Sequence, residues 1–307
     1  MVLTLLYTPT DFDGDEMNMH VPQDLQSRTE LEELMSVTKN FCSAQSNKPV
    51  IGIIQDTLVG AYLFTNRNIF LARDEMMNLM MHVVHWDGVI PAPAIMTPKQ
   101  CLWTGKQLLS LLFPNNLVYT HKAKSDPDPL CSLDDKTVLI RQGELIQGRL
   151  SKTQLGKTYN GIIHRIWKSH GDQTVADFIN GIQRMVDYWL TQHSFSTGIA
   201  DCVPAADADA SIVPDAIAQV DSIIAKHRHD IEHPLVERKI NQILNSARDR
   251  AGEDQINKLP DNHGMKTMAE AGSKGSLINI CTLIHTPQAL MFDINVGHLC
   301  EAFMPRH

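Results

Sequence analysis

The chain has 307 residues, of which 43% are hydrophobic and 20% charged, values that are ordinary for a globular protein. This length allows two or three domains. The net charge of −8 argues against a freestanding nucleic-acid binder, which usually carries a basic excess, although a subunit lining part of a larger active centre need not be basic.

The cysteines and the apolar segments exclude two further classes. The six cysteines form no C-x-x-C pair, so we expect no structural zinc site and a reduced, intracellular protein. No apolar run reaches the roughly 18–20 residues of a membrane helix. The first ten residues lack the basic region and cleavage site of a signal peptide. We therefore expect a soluble protein.

Residues 1–23 predict a strand, an acidic loop and a second strand. The loop carries Asp11, Asp13 and Asp15, with Gly14 between the last two. Alternate strand residues share a face but lie roughly 6.5–7 Å apart, too far to bind one ion. A bend at Gly14 would bring the carboxylates together, and a divalent cation would offset their mutual repulsion. Mg²⁺ prefers such oxygen ligands.

This loop has two alternatives to a magnesium site. A calcium EF-hand requires glycine and glutamate at positions that Glu16 and Pro22 occupy here, and is excluded. A solvated acidic turn stays open, although the apolar Phe12 within the run argues against it. A Mg²⁺ site for phosphate chemistry is the favoured interpretation.

The next elements are predicted to be helices. Ser27 and Glu30 have the spacing of a capping box, which predicts a helix whose Leu31, Leu34 and Met35 face the core. Residues 74–84 predict a helix with a core-filling methionine stripe. The stripe consists of Met76, Met77, Met80 and Met81.

Polar residues within this part of the chain have more than one interpretation. Gln55 and Asp56 interrupt an apolar segment and either pair internally, which we favour, or face a site. His82 and His85 lie one helical turn apart without a third ligand nearby. We interpret them as ordinary surface or core histidines.

The middle of the chain predicts a short helix over residues 105–112, a loop over 121–136 and a long amphipathic helix over 174–190. Between the loop and the long helix, a β-hairpin is predicted for residues 138–148, turning at Gln142 and Gly143. A boundary is expected at residues 201–213, which are small and acidic.

The remainder predicts a helical hairpin and a flexible loop. One helix begins near Pro214, and the second runs from about Pro234 to a C-cap at Gly252. His227, His229 and His233 lie near the hairpin tip, where solvent exposure is favoured over a metal site. Residues 271–276, AGSKGS, lack P-loop spacing.

Several of these motifs, in this order, resemble the largest subunit of multisubunit DNA-dependent RNA polymerases, in particular the RNA polymerase II type. The resemblance runs from about residue 11 to residue 280. It is carried by residues 11–18 (DFDGDEMN), 45–49, 52–58, 86–91 (WDGVIP), 195–199 (FSTGI), 247–249 and 271–276.

The resemblance implies an α+β fold with four parts. Residues 1–23 would end the catalytic β-barrel and carry the metal loop, residues 24–200 would form a mixed α/β pore-like domain, and residues 201–280 a helical-hairpin, funnel-like domain. Residues 281–307 are an unmatched tail. Because an isolated part of a barrel leaves unpaired strand edges, we expect activity only within a complete complex.

The same resemblance implies the chemistry. Asp11, Asp13 and Asp15 would be the catalytic residues that bind Mg²⁺ for two-metal nucleotidyl transfer, and Arg248 and Lys274 would contact the nucleoside triphosphate. The implied partners are other polymerase subunits, notably the second-largest, with the DNA template and RNA transcript, in the nucleus and without a membrane.

The sequence departs from the family pattern before the metal loop, where Pro9-Thr10 replaces the usual Asn-Ala that contacts the nucleotide sugar. Two alternative functions stay open. The first is a catalytically incompetent structural or interaction module of the same family. The second, a Mg²⁺-dependent phosphohydrolase, lacks a recognisable nucleophile or general base near the acids.

Overall fold

The computed structural model describes residues 14–16, 18–121, 135–203, 211–226, 234–260 and 263–275. The chain divides into two compact units, Met1–Ser194 and Phe195–His307. Helices and short β-strands both occur in these ranges, which confirms the predicted α+β class. The first predicted barrel strand lies outside the described residues, whereas residues 18–23, where the strand after the acidic loop was predicted, form no β-strand. The barrel therefore stays a prediction.

The described part of the first unit contains seven α-helices and eight short strands. The helices are α1 (Leu25–Glu33), α2 (Gln55–Phe64), α3 (Arg73–Met80), α4 (Gly105–Ser110), α5 (Lys152–Leu155), α6 (Ile162–His170) and α7 (Asp172–His193). The strands are β1 (Cys42–Ser43), β2 (Lys48–Pro49), β3 (Phe70–Leu71), β4 (Ile95–Met96), β5 (Cys101–Thr104), β6 (Tyr119–His121), β7 (Val138–Arg141) and β8 (Glu144–Gln147).

All strand pairs among these residues are antiparallel. β1 pairs with β2, and two three-stranded sheets have the orders β3-β5-β4 and β6-β7-β8. The predicted hairpin is confirmed as β7 and β8. Gln142 and Gly143 form its turn with φ of 51° and 78°, the positive angles that a tight hairpin turn matching the strand twist requires.

The core of the first unit forms around α7, whose length and apolar stripe confirm the helix predicted over 174–190. Its buried side chains include Phe178, Ile182, Val186 and Trp189. The helix packs against α2, and Gly60 allows that approach because a Cβ there would lie 2.5 Å from Val186 Cγ1.

The predicted methionine stripe is largely confirmed. Met76 and Met80 of α3 are buried and Met77 packs against the core, whereas Met81, just beyond the end of the helix, is 81% exposed. The stripe therefore ends one residue earlier than the sequence predicts, because the helix itself ends at Met80.

Three predictions about α1 and α2 are wrong. Helix α1 begins before Ser27, because the Asp24 side chain accepts a hydrogen bond from the Ser27 amide and acts as the N-cap. Leu34 and Met35 are exposed, so this helix does not present those side chains to the core. The expected internal pairing of Asp56 is also not seen: Asp56 is exposed in the first turn of α2, and it is Thr57 that bonds Asp187, at 2.8 Å.

In the described part of the second unit, the α-helices are α8 (Ile212–Lys226), α9 (Pro234–Lys258) and α10 (Gly264–Ala271). The apolar residues that join α8 to α9 come from the last part of α8 and the first part of α9, as a helical hairpin requires. They are Val220, Ile223, Ile224, Val236, Ile240 and Leu244. The predicted C-cap at Gly252 is wrong, because α9 continues past this residue to Lys258.

No helix in the described ranges is both long enough and apolar enough to cross a membrane. Cys42, Cys101 and Cys202 are free thiols, and the other cysteines lie outside those ranges. His227, His229 and His233, most of the predicted loop over 121–136, and the tail after residue 275 also lie outside the described residues.

Candidate functional site

The acidic loop is described only in its second half. Gly14 lies in a turn with φ 116°, so the bend expected at this glycine is present. No atom lies within 4 Å of the position that a Cβ would take, so the backbone angle and not crowding favours glycine here. Asp15 follows the turn with its side chain exposed. Asp11 and Asp13 lie outside the described residues, and the convergence of the three carboxylates stays a prediction.

The donors that the loop offers fit magnesium. Asp11, Asp13 and Asp15 supply carboxylate oxygens alone, which Mg²⁺ and Mn²⁺ prefer and which are poor ligands for the soft metals that thiolates bind. Among the described residues, no three His, Cys, Asp or Glu side chains lie together so as to hold a metal. Asp11 and Asp13 are not among those residues.

Arg248 lies in the second half of α9, next to the buried Ala247, and is itself half-buried. Its Nη2 and Nε lie 3.1 Å and 3.2 Å from Oδ1 of the neighbouring Asp249. Asp249 is largely exposed, so this contact is a surface ion pair that contributes little to folding.

Lys274 is exposed in the loop that follows α10. Gly272 ends the helix in the left-handed conformation, with φ 76°, and its amide and that of Ser273 donate to the Met268 carbonyl at 3.0 Å and 3.2 Å. This is the hydrogen-bonding pattern of a glycine C-cap, which fixes the direction in which the chain leaves the helix. Gly275, with φ 79°, bends the chain again directly after Lys274.

Two motifs that are separate in the sequence lie at the two ends of α10. The amide of Gly264, the first residue of α10, donates to Asp201 Oδ1 at 3.3 Å, and the amide of Gly198 donates to Oδ2 at 2.8 Å. Residues 195–199 therefore lie at one end of α10, while residues 271–276 begin at its other end. Sequence reasoning missed Asp201, because a single acid outside any spacing pattern gives no signal.

His82 and His85 behave as interpreted from the sequence. His82 packs against the Tyr188 ring with centroids 4.8 Å apart, and His85 Nε2 lies 3.4 Å from Asp177 Oδ2. Both contacts join the residues after α3 to α7. These contacts give both histidines a structural role.

Comparison with known proteins decides the family. The model of RNA polymerase Rpb1, domain 3, matches residues 40–202, which is more than half of the chain. The chain belongs to the RNA polymerase Rpb1 family. Two further models, RNA polymerase Rpb1, domain 2 and domain 4, match residues 2–37 and 218–286. The largest-subunit family expected from the motifs is thus confirmed.

A relative agrees with this assignment to the Rpb1 family. DNA-directed RNA polymerase II subunit RPB1-B of Trypanosoma brucei brucei is 36% identical over 292 residues, which cover 89% of this chain. The chain spans 16% of the length of that relative. The domain 2 match includes Asp11, Asp13 and Asp15, and the domain 4 match includes Arg248 and Lys274.

Proposed function

We propose that this chain is part of the catalytic subunit of a DNA-directed RNA polymerase. The proposal rests chiefly on the acidic loop, which lies within the Rpb1 domain 2 match and bends at Gly14. Three acids around a glycine in an unrelated protein would support only a cation site. The same loop followed by matches to Rpb1 domains 3 and 4 supports nucleotide joining.

In this proposal, Asp11, Asp13 and Asp15 hold Mg²⁺ through their carboxylate oxygens. The bound ion supplies Lewis-acid activation of the RNA 3′ hydroxyl and offsets charge that develops on the phosphoryl group. The positive φ of Gly14 places a bend directly before Asp15. The role of the chain is thus to fix three anionic ligands that would repel one another without a cation.

Arg248 and Lys274 bind the triphosphate of the incoming nucleotide. Arg248 offers a planar guanidinium that can donate two hydrogen bonds to one phosphate, and Lys274 offers a mobile point charge. Positive groups at the leaving side of the reaction stabilise the transition state most where the site is preorganised and shielded from water. Both residues lie in the second unit, on or beside α9 and α10.

The organisation that we propose has four parts: residues 1–23 as the end of the catalytic barrel, 24–200 as the pore-like domain, 201–280 as the funnel-like domain and 281–307 as a separate tail. The Rpb1 matches have different bounds, residues 2–37, 40–202 and 218–286. Catalysis then requires the rest of the complex, including the second-largest subunit, the DNA template and the RNA transcript, in the nucleus. The purified chain alone is expected to make no RNA.

Metal titration tests this proposal. Mn²⁺, which replaces Mg²⁺ at oxygen sites and is visible by electron paramagnetic resonance, is expected to bind the full chain at one site and to lose that site in Asp13→Asn. Asp221→Asn, the same chemical change on the exposed surface of α8, is the matched control. Equal Mn²⁺ binding by both variants and the unchanged chain would favour the alternative, a structural module of the same family.

Co-purification gives an independent test of the assembly. The tagged chain, expressed in cells, is expected to recover the second-largest polymerase subunit. Recovery of that subunit without a Mn²⁺ site would leave the chain as an interaction module. Failure to recover it would contradict the proposed assembly.

A further inference from the structure

We infer that Asp201 is a positioning residue, which ties residues 195–202 to α10 and thereby fixes the loop that presents Lys274. Its functional consequence rests on the triphosphate contact proposed for Lys274. The tie, meaning the contacts of Asp201 with residues 195–199 and with the start of α10, lies within the second unit and is tested separately.

The first contact set joins Asp201 to two backbone amides. Its Oδ2 accepts from Gly198 at 2.8 Å and its Oδ1 from Gly264 at 3.3 Å, so one carboxylate holds two segments that are about 60 residues apart in sequence. The carboxylate also lies at the N-terminal end of α10, where a negative charge is favourable. These bonds are charge-assisted, and stronger than bonds between neutral groups.

The second contact set surrounds His263, the N-cap of α10. His263 Nδ1 accepts from the Lys266 amide, and its Nε2 lies 3.6 Å from Asp201 Oδ1, in contact but too far for a hydrogen bond. The ring is 6% exposed. Asp201 therefore contacts both the capping residue and the first residue of the helix, Gly264.

Close packing makes the tie specific. A Cβ on Gly264 would lie 3.0 Å from Thr197 Cγ2 and 3.1 Å from the Ser196 carbonyl oxygen. Residues 195–199 therefore lie directly on the start of the helix. A glycine at position 264 permits this approach.

The other side of α10 is anchored to the end of α9. Lys266 Nζ donates to the Leu259 carbonyl at 2.9 Å, and Leu259 packs with Met265 and Ala269. Since α10 has only eight residues, a contact at its first turn and a C-cap at Gly272 act on one short rigid element. Releasing the first turn is therefore expected to loosen the loop at the other end.

Hydrogen exchange in the full chain tests the tie. Asp201→Asn keeps the side-chain shape but replaces one acceptor oxygen with a donor and removes the charge. We expect exchange to become about tenfold faster at Gly198, Gly264, Gly272 and Ser273, because one charge-assisted bond is lost and local opening becomes easier. Asp221→Asn on α8 should change none of these amides, and exchange across α8 and α9 should stay constant in both variants.

Each pattern of exchange rates either supports or contradicts the inference. Faster exchange at all of these amides supports the positioning role. Faster exchange at Gly198 and Gly264 with unchanged rates at Gly272 and Ser273 would overturn it, because the contact would then act only locally. Unchanged rates everywhere, or equal changes in Asp221→Asn, would overturn the tie itself. His263→Asn distinguishes the hydrogen bonds of Asp201 from its contact with the His263 ring. Asparagine retains the N-cap and removes only the ring.

Labelling of Lys274 by an amine-acylating reagent, with and without Mg²⁺-ATP, tests the functional consequence. ATP is expected to slow labelling in the unchanged chain, and this protection should fall about tenfold in Asp201→Asn but not in Asp221→Asn. Undiminished protection in Asp201→Asn would overturn the positioning role. Absence of protection in the unchanged chain would count against the proposed role of Lys274, while the exchange rates would still decide the tie.

Discussion

Lys106 Nζ lies 2.6 Å and 2.8 Å from the two carboxylate oxygens of Asp135, and both side chains are almost fully buried. Asp135 Oδ1 also accepts from the Gly148 amide at 2.7 Å. Burial lowers the pKa of Lys106, while its hydrogen bond and charge attraction with Asp135 act in the opposite direction. The pair therefore offsets the cost of burying each charge, and it joins α4 to the residues on either side of the β7–β8 hairpin.

Lys106→Met is expected to destabilise the first unit by about 3–5 kcal/mol, because it leaves the buried Asp135 carboxylate without its cation. Urea unfolding measures the change. Lys39→Met is the control, because Lys39 pairs with Glu33 on the surface and such pairs contribute about 0–1 kcal/mol. A loss at Lys106 no larger than the loss at Lys39 would show that water replaces the missing cation.

His164 is expected to make stability depend on pH. It is buried, and its Nδ1 accepts from the amide of Asn160, a residue with φ 60°. Only the neutral ring can accept that bond. Burial lowers the pKa of His164 from 6.5, with the nearby positive charge of Lys168 acting in the same direction.

The direction of the pH effect follows from proton binding. Between the lowered pKa and 6.5 the unfolded chain binds more protons than the folded chain, so stability rises with pH in that window. The contribution of His164 is complete above pH 6.5 and is lost as the pH falls through the folded pKa. Thermal unfolding across this range should show the dependence, and His164→Phe should reduce it. His170→Gln on the same helix is the control, and an equal reduction there would contradict the assignment.

Local turn and helix signals in the sequence were sufficient for several elements. The hairpin was predictable because Gln142 and Gly143 determine the turn without help from distant residues. The long helix α7 was predictable because its apolar residues repeat at helical spacing over many turns. The acidic loop was recognisable from its motif, and the bend at Gly14 agrees with it.

Elements that depend on competition or on distant partners were not predictable. Asp24 lies one residue before α1 and caps it, so the Ser27 spacing gave the wrong start. Gly252 costs a helix about 1 kcal/mol, which the rest of a 25-residue helix outweighs. Lys106 and Asp135 are 29 residues apart, and no periodic pattern connects them.

Gly60→Ala is expected to destabilise the first unit by about 1–3 kcal/mol. A Cβ at this position would lie 2.5 Å from Val186 Cγ1, and the β-branched valine has little rotational freedom with which to move. Without that overlap, alanine would stabilise a helix by about 1 kcal/mol relative to glycine. The sign of the change in denaturant unfolding therefore decides whether α2 and α7 pack as closely as the structure shows.

Gly14→Ala tests whether the shape of the acidic loop serves the proposed metal site. The angle of 116° is unfavourable for alanine, and the open space around the residue leaves backbone strain as the main effect. Strain of about 1–2 kcal/mol corresponds to roughly five- to thirtyfold weaker Mn²⁺ binding. Gly88→Ala is the matched control, since Gly88 also has a positive φ, 83°, and no atom within 4 Å of a Cβ. It should leave Mn²⁺ binding unchanged. Equal Mn²⁺ affinity in both variants would mean that the carboxylates can gather without this bend.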